Sequence, residues 1–194
     1  KIYQDAQAML KKIVDEKWLT AEAVFGFFPA NAVGDDIELY QDQSRKVVHK
    51  KLHHLRQQMH RKDARPNYCL SDFIAPKKTQ LKDYIGAFAV TTGIGIESHI
   101  QRFEQDQDDY NAILLKSLAD RLAEAFAERL HEKVRQQYWG YAKTENFNNQ
   151  QLIKEKYQGI RPAPGYPACP DHTEKHSIWE LLKPDENIGL KLTE

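Results

Sequence analysis

The sequence predicts an α+β fold: a single domain with a mainly antiparallel central sheet flanked by long helices. Three observations lead to this prediction. Apolar residues recur at helical spacing in several long segments, and short apolar runs bounded by glycine or proline indicate strands. Helices and strands also do not alternate in the strict order that a doubly wound parallel sheet requires. The 194 residues suffice for one hydrophobic core.

The N-terminal segment predicts a helix followed by a strand. Apolar residues recur at helical spacing from Ile2 onward, which predicts an amphipathic helix that ends near Trp18. The next apolar run covers residues 23–28 and is followed by Pro29. Because proline lacks a backbone donor, we expect a short buried strand that stops there. The sequence NAVGDD at residues 31–36 then predicts a turn and a hairpin.

The following segment predicts further strands. Residues 37–40 are expected to form the second strand of the hairpin. Residues 44–61 are ambiguous, because Val47 and Val48 favour a strand while the later apolar residues keep a helical spacing. The run YIGAFAVT at residues 84–91 is the clearest strand, and its two apolar faces predict a central position in the sheet.

The C-terminal half predicts mainly helices. A capping box is expected where the last of them begins, at Asp171 or Thr173 with Glu174, and this helix should end before Pro184. A short strand is expected at residues 190–192. The earlier helices are predicted over residues 97–103, 108–138 and 149–157.

Charge and composition exclude several classes of partner. The chain has 28 basic and 28 acidic residues, so bulk charge does not favour nucleic acid or an anionic membrane. Two cysteines make no disulfide framework, which favours a reducing, cytoplasmic setting. No apolar run has the length of a membrane span. Because the first residue is not Met and begins a helical pattern, we expect a piece cut from a longer protein.

The most unusual stretch is GIRPAPGYPACP at residues 159–170, which we name the signature loop. Four prolines within nine residues exclude a helix or a central strand. They predict a stiff, polyproline-like loop whose carbonyl groups have few internal partners. Such a loop is either a plain connector between two helices or a preset surface that contacts a ligand.

The signature loop and its continuation, RPAPGYPACPDHTEK, closely resemble the activation domain of cobalamin-dependent methionine synthase. That domain is the S-adenosylmethionine-binding module at the C-terminus of the family's proteins. The resemblance extends over nearly the whole chain. Further matching segments are FFPANAVGDDIELY, NYCLSDFIAPK, DYIGAFAVTTG, LADRLAEAFAERLHEKVR and YWGYA.

The resemblance implies a function and a set of partners. The domain would bind S-adenosylmethionine and support reductive methylation of inactive cob(II)alamin to methylcobalamin. The electron would come from a flavodoxin-type donor, and the cobalamin would be held by another domain of the same polypeptide. The parent enzyme would be a methyltransferase that converts homocysteine to methionine.

The resemblance also implies that residues 1–194 are a fragment of this activation domain. The family's N-terminal segment, which contributes an Asp to the ligand site, and its C-terminal strands, which contribute a Tyr, are not included. The fragment is therefore expected not to be active alone. A non-catalytic docking module for flavodoxin or for the cobalamin domain is the alternative.

Binding residues follow from the loop and from the resemblance together. Arg161 occupies the position of the family's S-adenosylmethionine-binding arginine, and its planar guanidinium suits the ligand carboxylate. Backbone groups of Ala163 and Gly165 are the next candidates, because proline fixes them in place. Gly165 is also expected to tolerate a positive φ. Tyr166 is expected to stack on adenine or to face the corrin ring.

Carboxylate side chains of the protein are expected to contact the same ligand, because its ammonium and sulfonium groups are cationic. Glu124, within the apolar stretch LAEAF, ranks above Glu155, which lies between two lysines. Both have the alternative of a solvated helix face. No general acid or base is required, since the cobalt nucleophile belongs to the cofactor.

A metal site is the last candidate considered. Cys169, His172 and His176 have the spacing C-x2-H-x3-H, and Cys69 is the nearest imaginable fourth ligand. Structural zinc requires four well-placed ligands, and this set lacks paired spacing, so no metal site is predicted. Cys169 as a nucleophile with His172 is also disfavoured, because no third group orients the pair.

Overall fold

The computed structural model describes residues 1–60 and 64–192. Within these residues four strands and six α-helices are formed. The strands are β1 (Thr20–Val33), β2 (Asp36–Tyr40), β3 (Val48–Leu52) and β4 (Asp83–Ile94). The helices are α1 (Ile2–Asp15), α2 (Ile96–Gln105), α3 (Asp109–Lys133), α4 (Asn149–Ile153), α5 (Glu174–Leu182) and α6 (Pro184–Ile188). Short 3-10 helices cover Leu70–Phe73 and Lys77–Thr79, and a π-helical turn covers Val134–Tyr138.

The four strands form one sheet with the order β3-β2-β1-β4. Strand β2 pairs antiparallel with both β1 and β3. The hairpin between β1 and β2 closes with Val33 opposite Asp36, so Gly34 and Asp35 form the turn. Gly34 has a φ of 65°, a conformation that glycine adopts without steric cost. The predicted α+β fold with a mainly antiparallel sheet is confirmed.

Two details of the hairpin were predicted wrongly. Strand β1 does not stop at Pro29 but continues through it to Val33. Its pairing with β2 begins at Ala30, one residue after the proline, so the missing amide interrupts no bond of that ladder. The turn is correspondingly shorter than the predicted residues 31–36, because residues 31–33 belong to β1.

The predicted central position of β4 is also wrong. Among the described strands β4 lies at the end of the sheet order and has β1 as its neighbour. Its Thr92 hydroxyl donates to the carbonyl of Ala119 in α3 at 2.7 Å, so a helix covers one face of the strand. The apolar character of a strand depends on what covers its faces, so it does not reveal whether both of its edges are paired.

The remaining predictions differ from the structure mainly at element ends. The ambiguous residues 44–61 contain strand β3 and then a segment without regular structure up to residue 60, while residue 61 lies outside the described residues. Helix α4 ends at Ile153 rather than near residue 157. Residues 190–192 form no strand. The predicted long helix is confirmed as α3 and its π-helical turn.

The capping box predicted for α5 is not formed. Thr173 occupies the capping position without a side-chain cap bond. The carboxylate of Asp171 instead accepts hydrogen bonds from the amide and hydroxyl of Thr173, both at 2.8 Å. The helix ends before Pro184, as predicted.

The chain divides into two compact units. The first comprises residues 1–24, 89–156 and the chain from Ile188 on, and its core lies among α1, α2 and α3. The second comprises residues 25–88 and 157–187, and its core lies on the sheet. None of the helices in the described residues is long and apolar enough to span a membrane. The core of the first unit contains Met9, Ile13, Trp18, Phe103, Ala112 and Leu115, and that of the second Ala30, Ala32, Ile37, Leu39, Leu52 and Ile74.

Candidate functional site

The signature loop lies in the second unit and is closed on itself by backbone hydrogen bonds. The amide of Gly165 donates to the carbonyl of Cys169 at 2.7 Å, and the amide of Cys169 donates to the carbonyl of Tyr166 at 2.8 Å. The amide of Tyr166 donates to the carbonyl of Ala163 at 3.0 Å. The expectation that loop carbonyls have few internal partners is therefore wrong. The loop is a compact double turn, held by hydrogen bonds as well as by proline rings.

Gly165 is required at its position for two separate reasons. Its φ of 102° lies where residues with a side chain are strained, which confirms the predicted positive φ. A Cβ added to Gly165 would also lie only 2.3 Å from Cε1 and 2.6 Å from Nε2 of His172. The imidazole of His172 thus packs directly on the glycine.

Four of the six predicted binding residues lie together in this loop. The side chain of Arg161 is half-buried, whereas Ala163 and Gly165 are exposed and Tyr166 is 55% exposed. The amide of Gly165 and the carbonyl of Ala163 are already used within the loop. A ligand on this surface would therefore meet the Arg161 side chain, the Tyr166 ring and the backbone groups on the outer side of the turn.

The two predicted carboxylates belong to the other unit. Glu124 lies on an exposed face of α3. Glu155 follows α4, is exposed, and has a φ of 49°, which is uncommon for a residue other than glycine. The ligand role of both stays a prediction.

Within the loop, Cys169 is buried and lies against His54, a contact that was not predicted from the sequence. Its Sγ lies 3.6 Å from Nδ1 of His54. Burial raises the pKa of the Cys169 thiol to about 11, with further contributions from Glu174, Cys69 and Asp171. Burial also lowers the pKa of His54. At neutral pH this pair is a protonated thiol beside a neutral imidazole, which does not suit Cys169 as a nucleophile.

The three residues that were weighed and rejected as zinc ligands differ in burial. Cys169 is buried, whereas His172 and His176 are exposed. In the described residues no group of three or more His, Cys, Asp or Glu side chains is arranged to hold a metal.

Glu174 has a structural role that sequence reasoning missed. Its side chain is buried, with 7% of its surface exposed, although it begins helix α5. Its Oε1 accepts a hydrogen bond from the amide of His53 at 2.8 Å, directly after β3 ends. The carboxylate therefore joins the start of α5 to the end of a sheet strand. The sequence carried no signal for this contact, because its partner is a backbone amide 121 residues away.

Comparisons with known proteins identify the family of this chain. A crystal structure of the MetH reactivation domain bound to AdoHcy matches the chain with a TM-score of 0.91 and 58% sequence identity. The match covers 100% of this chain and 59% of that chain, so the sequence spans less than two thirds of the solved protein. The family model of the vitamin B12-dependent methionine synthase activation domain matches residues 1–194. The chain therefore belongs to the family of vitamin B12-dependent methionine synthase activation domains.

Proposed function

We propose that this chain binds S-adenosylmethionine and supports the reductive methylation of inactive cob(II)alamin. One observation carries the proposal: a reactivation domain 58% identical over the whole chain is bound to AdoHcy. AdoHcy is the molecule that remains when S-adenosylmethionine has given up its methyl group. The electron would come from a flavodoxin-type donor, and the parent enzyme would methylate homocysteine to methionine.

Arg161 is proposed to hold the carboxylate of the ligand. A guanidinium presents two parallel N–H groups that match a carboxylate, and such charge-assisted pairs are stronger than neutral hydrogen bonds. Arg161 begins the stiff part of the signature loop, and its half-buried stem limits the orientations of the side chain. We propose that the remaining groups of a ligand anchored there lie along the turn that contains Ala163 and Gly165.

The closed turn supports binding by being formed in advance. Hydrogen bonds of Gly165 and Tyr166 to other loop residues already fix the backbone. Binding then costs little additional conformational entropy. Tyr166, which is half-exposed, offers an aromatic face to adenine or to the corrin ring. Glu124 and Glu155 are proposed to balance the positive charge of the ligand.

Cobalamin, proposed to be held by another domain of the same polypeptide, supplies the cobalt that accepts the methyl group. The residues of this chain then need only bind the methyl donor, orient its sulfonium and exclude water. A buried, protonated Cys169 is consistent with this mechanism, since the proposed reaction requires no nucleophile from the protein.

The test uses the full-length protein with its cofactor in the cob(II)alamin form. S-adenosylmethionine with a labelled methyl group and a reduced flavodoxin-type protein are added together and then each alone. The proposal predicts that the cobalamin absorbance changes and that label reaches the cofactor only when both are present. Methylation that does not depend on S-adenosylmethionine would contradict it. Binding of the flavodoxin without binding of S-adenosylmethionine would instead support a docking module.

A further inference from the structure

His172 has no role in the proposed chemistry, yet its ring packs on Gly165 of the signature loop. Its imidazole occupies the space that a Cβ of Gly165 would need. Such a Cβ would lie 2.3 Å from Cε1 and 2.6 Å from Nε2 of His172. The ring therefore covers the α-carbon at the point where the turn adopts its positive φ. Any movement of the ring away from Gly165 removes the packing that supports this part of the loop.

The backbone of His172 is itself fixed by the start of α5. Its carbonyl accepts a hydrogen bond from the amide of Lys175 at 3.1 Å. On either side of it, the Asp171 carboxylate binds the amide and the hydroxyl of Thr173, both at 2.8 Å. Bonding by Thr173 also lowers the pKa of Asp171, so this carboxylate stays charged at neutral pH. The ring of His172 is thus carried on a short, well-bonded segment.

Glu174 ties that segment to the sheet. Its buried carboxylate accepts a hydrogen bond from the amide of His53, and loss of this bond would leave a buried carboxylate oxygen without that donor. The end of β3 is thus connected to Gly165 through the hydrogen bond to Glu174, the short chain segment between Glu174 and His172, and the packing of the His172 ring on Gly165. All of these residues belong to the second unit.

We propose that His172 is a positioning residue for ligand binding by the signature loop and that Glu174 fixes His172 relative to the sheet. This inference rests on the proposed function, because it gives the loop the same ligand. His172 acts through Gly165 and needs no contact with the ligand. The histidine that the sequence suggested as a metal ligand would then serve as a rigid support.

The experiment measures the dissociation constant of AdoHcy for the full-length protein by titration calorimetry, together with the melting temperature of each variant. His172→Ala removes the ring, and we expect binding to weaken about tenfold, a change of about 1.4 kcal/mol. His172→Phe keeps a planar ring over Gly165 and should stay within about threefold of the wild type. His176→Ala is the matched control, because His176 is a nearby exposed histidine, in helix α5 just after His172.

A double variant tests the contact directly. Gly165→Ala should weaken binding through both strain and collision with the ring. When it is combined with His172→Ala the collision disappears, so the double variant should bind better than the sum of the two single losses predicts. Glu174→Gln keeps an oxygen acceptor for the amide of His53 and should bind more tightly than Glu174→Ala.

The outcomes separate the two proposals. If wild-type protein does not bind AdoHcy, the proposed function fails. If the wild type binds while His172→Ala binds equally well, or loses no more than His176→Ala, the positioning role is wrong. Strict additivity of the Gly165 and His172 effects would also overturn it. A lower melting temperature with unchanged affinity would show that His172 supports only stability.

Discussion

Arg135 and Glu145 form an ion pair that is closed off from solvent. The guanidinium places Nη2 2.6 Å from Oε1 and Nε 2.9 Å from Oε2, and the two side chains are 0% and 5% exposed. Nη1 of Arg135 also lies 2.6 Å from Nδ1 of His131. The pair joins the π-helical turn after α3 to the loop that follows it. A second link is the hydrogen bond from the amide of Ala142 to the carbonyl of Arg135.

Glu145→Ala is expected to destabilise the protein strongly. The substitution leaves a buried guanidinium without its counter-charge, which costs about 3–5 kcal/mol of unfolding free energy in comparable cases. Urea denaturation measures the change. Lys11→Ala removes one partner of the exposed Lys11–Asp15 pair and should change the stability by less than about 1 kcal/mol. Equal effects of the two substitutions would show that the Arg135–Glu145 pair is not shielded as described.

Cys169 is expected to react slowly with alkylating reagents. Burial raises its pKa from 9.0 to about 11, so at pH 8 almost all of it is a thiol. Peptide mapping after iodoacetamide treatment should show labelling that increases as the pH approaches 11 and fast labelling in the urea-denatured chain. Labelling of the native protein at pH 8 as fast as that of the denatured chain would contradict the burial of this thiol.

The same shift predicts the direction of a stability change with pH. The folded state favours the protonated thiol of Cys169. The contribution of this thiol to the free energy of unfolding is therefore fully present below pH 9.0 and is lost as the pH rises toward about 11. Urea midpoints of the wild type and of Cys169→Ala should therefore converge over this interval. A difference between them that stays constant from pH 8 to pH 11 would argue against the raised pKa.

Metal content is expected to be zero. Cys169, His172 and His176 lack a nearby fourth ligand in the sequence, and the ring of His172 packs on Gly165. We predict that elemental analysis finds no stoichiometric zinc and that a chelator leaves the melting temperature unchanged. One tightly bound equivalent of zinc would refute the prediction and would require the His172 ring to turn toward Cys169.

The local part of the fold could be predicted from the sequence. The helical spacing along α3 and the glycine turn of the hairpin depend on near neighbours in the chain, and both were predicted. The passage of β1 through Pro29 could not be, because the effect of a proline depends on whether a neighbouring strand needs its amide. The edge position of β4 depends on pairing between distant segments.

The candidate site shows the same division between local and distant effects. The positive φ of Gly165 was expected from the residue type and its proline neighbours. The contact of His172 with Gly165 was not expected, because it depends on the path of the chain between them. The bond from the amide of His53 to Glu174 spans 121 residues and leaves no pattern in the sequence.

Gly165→Val is expected to impair S-adenosylmethionine-dependent reactivation of the full-length enzyme. A branched side chain would collide with His172 and would be strained at a φ of 102°. Methylation of homocysteine by the same enzyme should be affected much less, because other modules are proposed to catalyse it. Both activities are assayed in one preparation. Equal loss of both would indicate misfolding, and unimpaired reactivation would mean that the loop does not face the ligand.

The most direct test of the central claim is a calorimetric titration of S-adenosylmethionine into full-length wild type and Arg161→Lys. Lysine keeps the charge but loses the paired N–H groups, so binding should weaken by about 1–3 kcal/mol while the melting temperature stays unchanged. Arg121→Lys, at an exposed arginine of α3, is the control and should bind as the wild type does. Affinity that is the same in the wild type and in Arg161→Lys would contradict the claim that the signature loop holds the ligand.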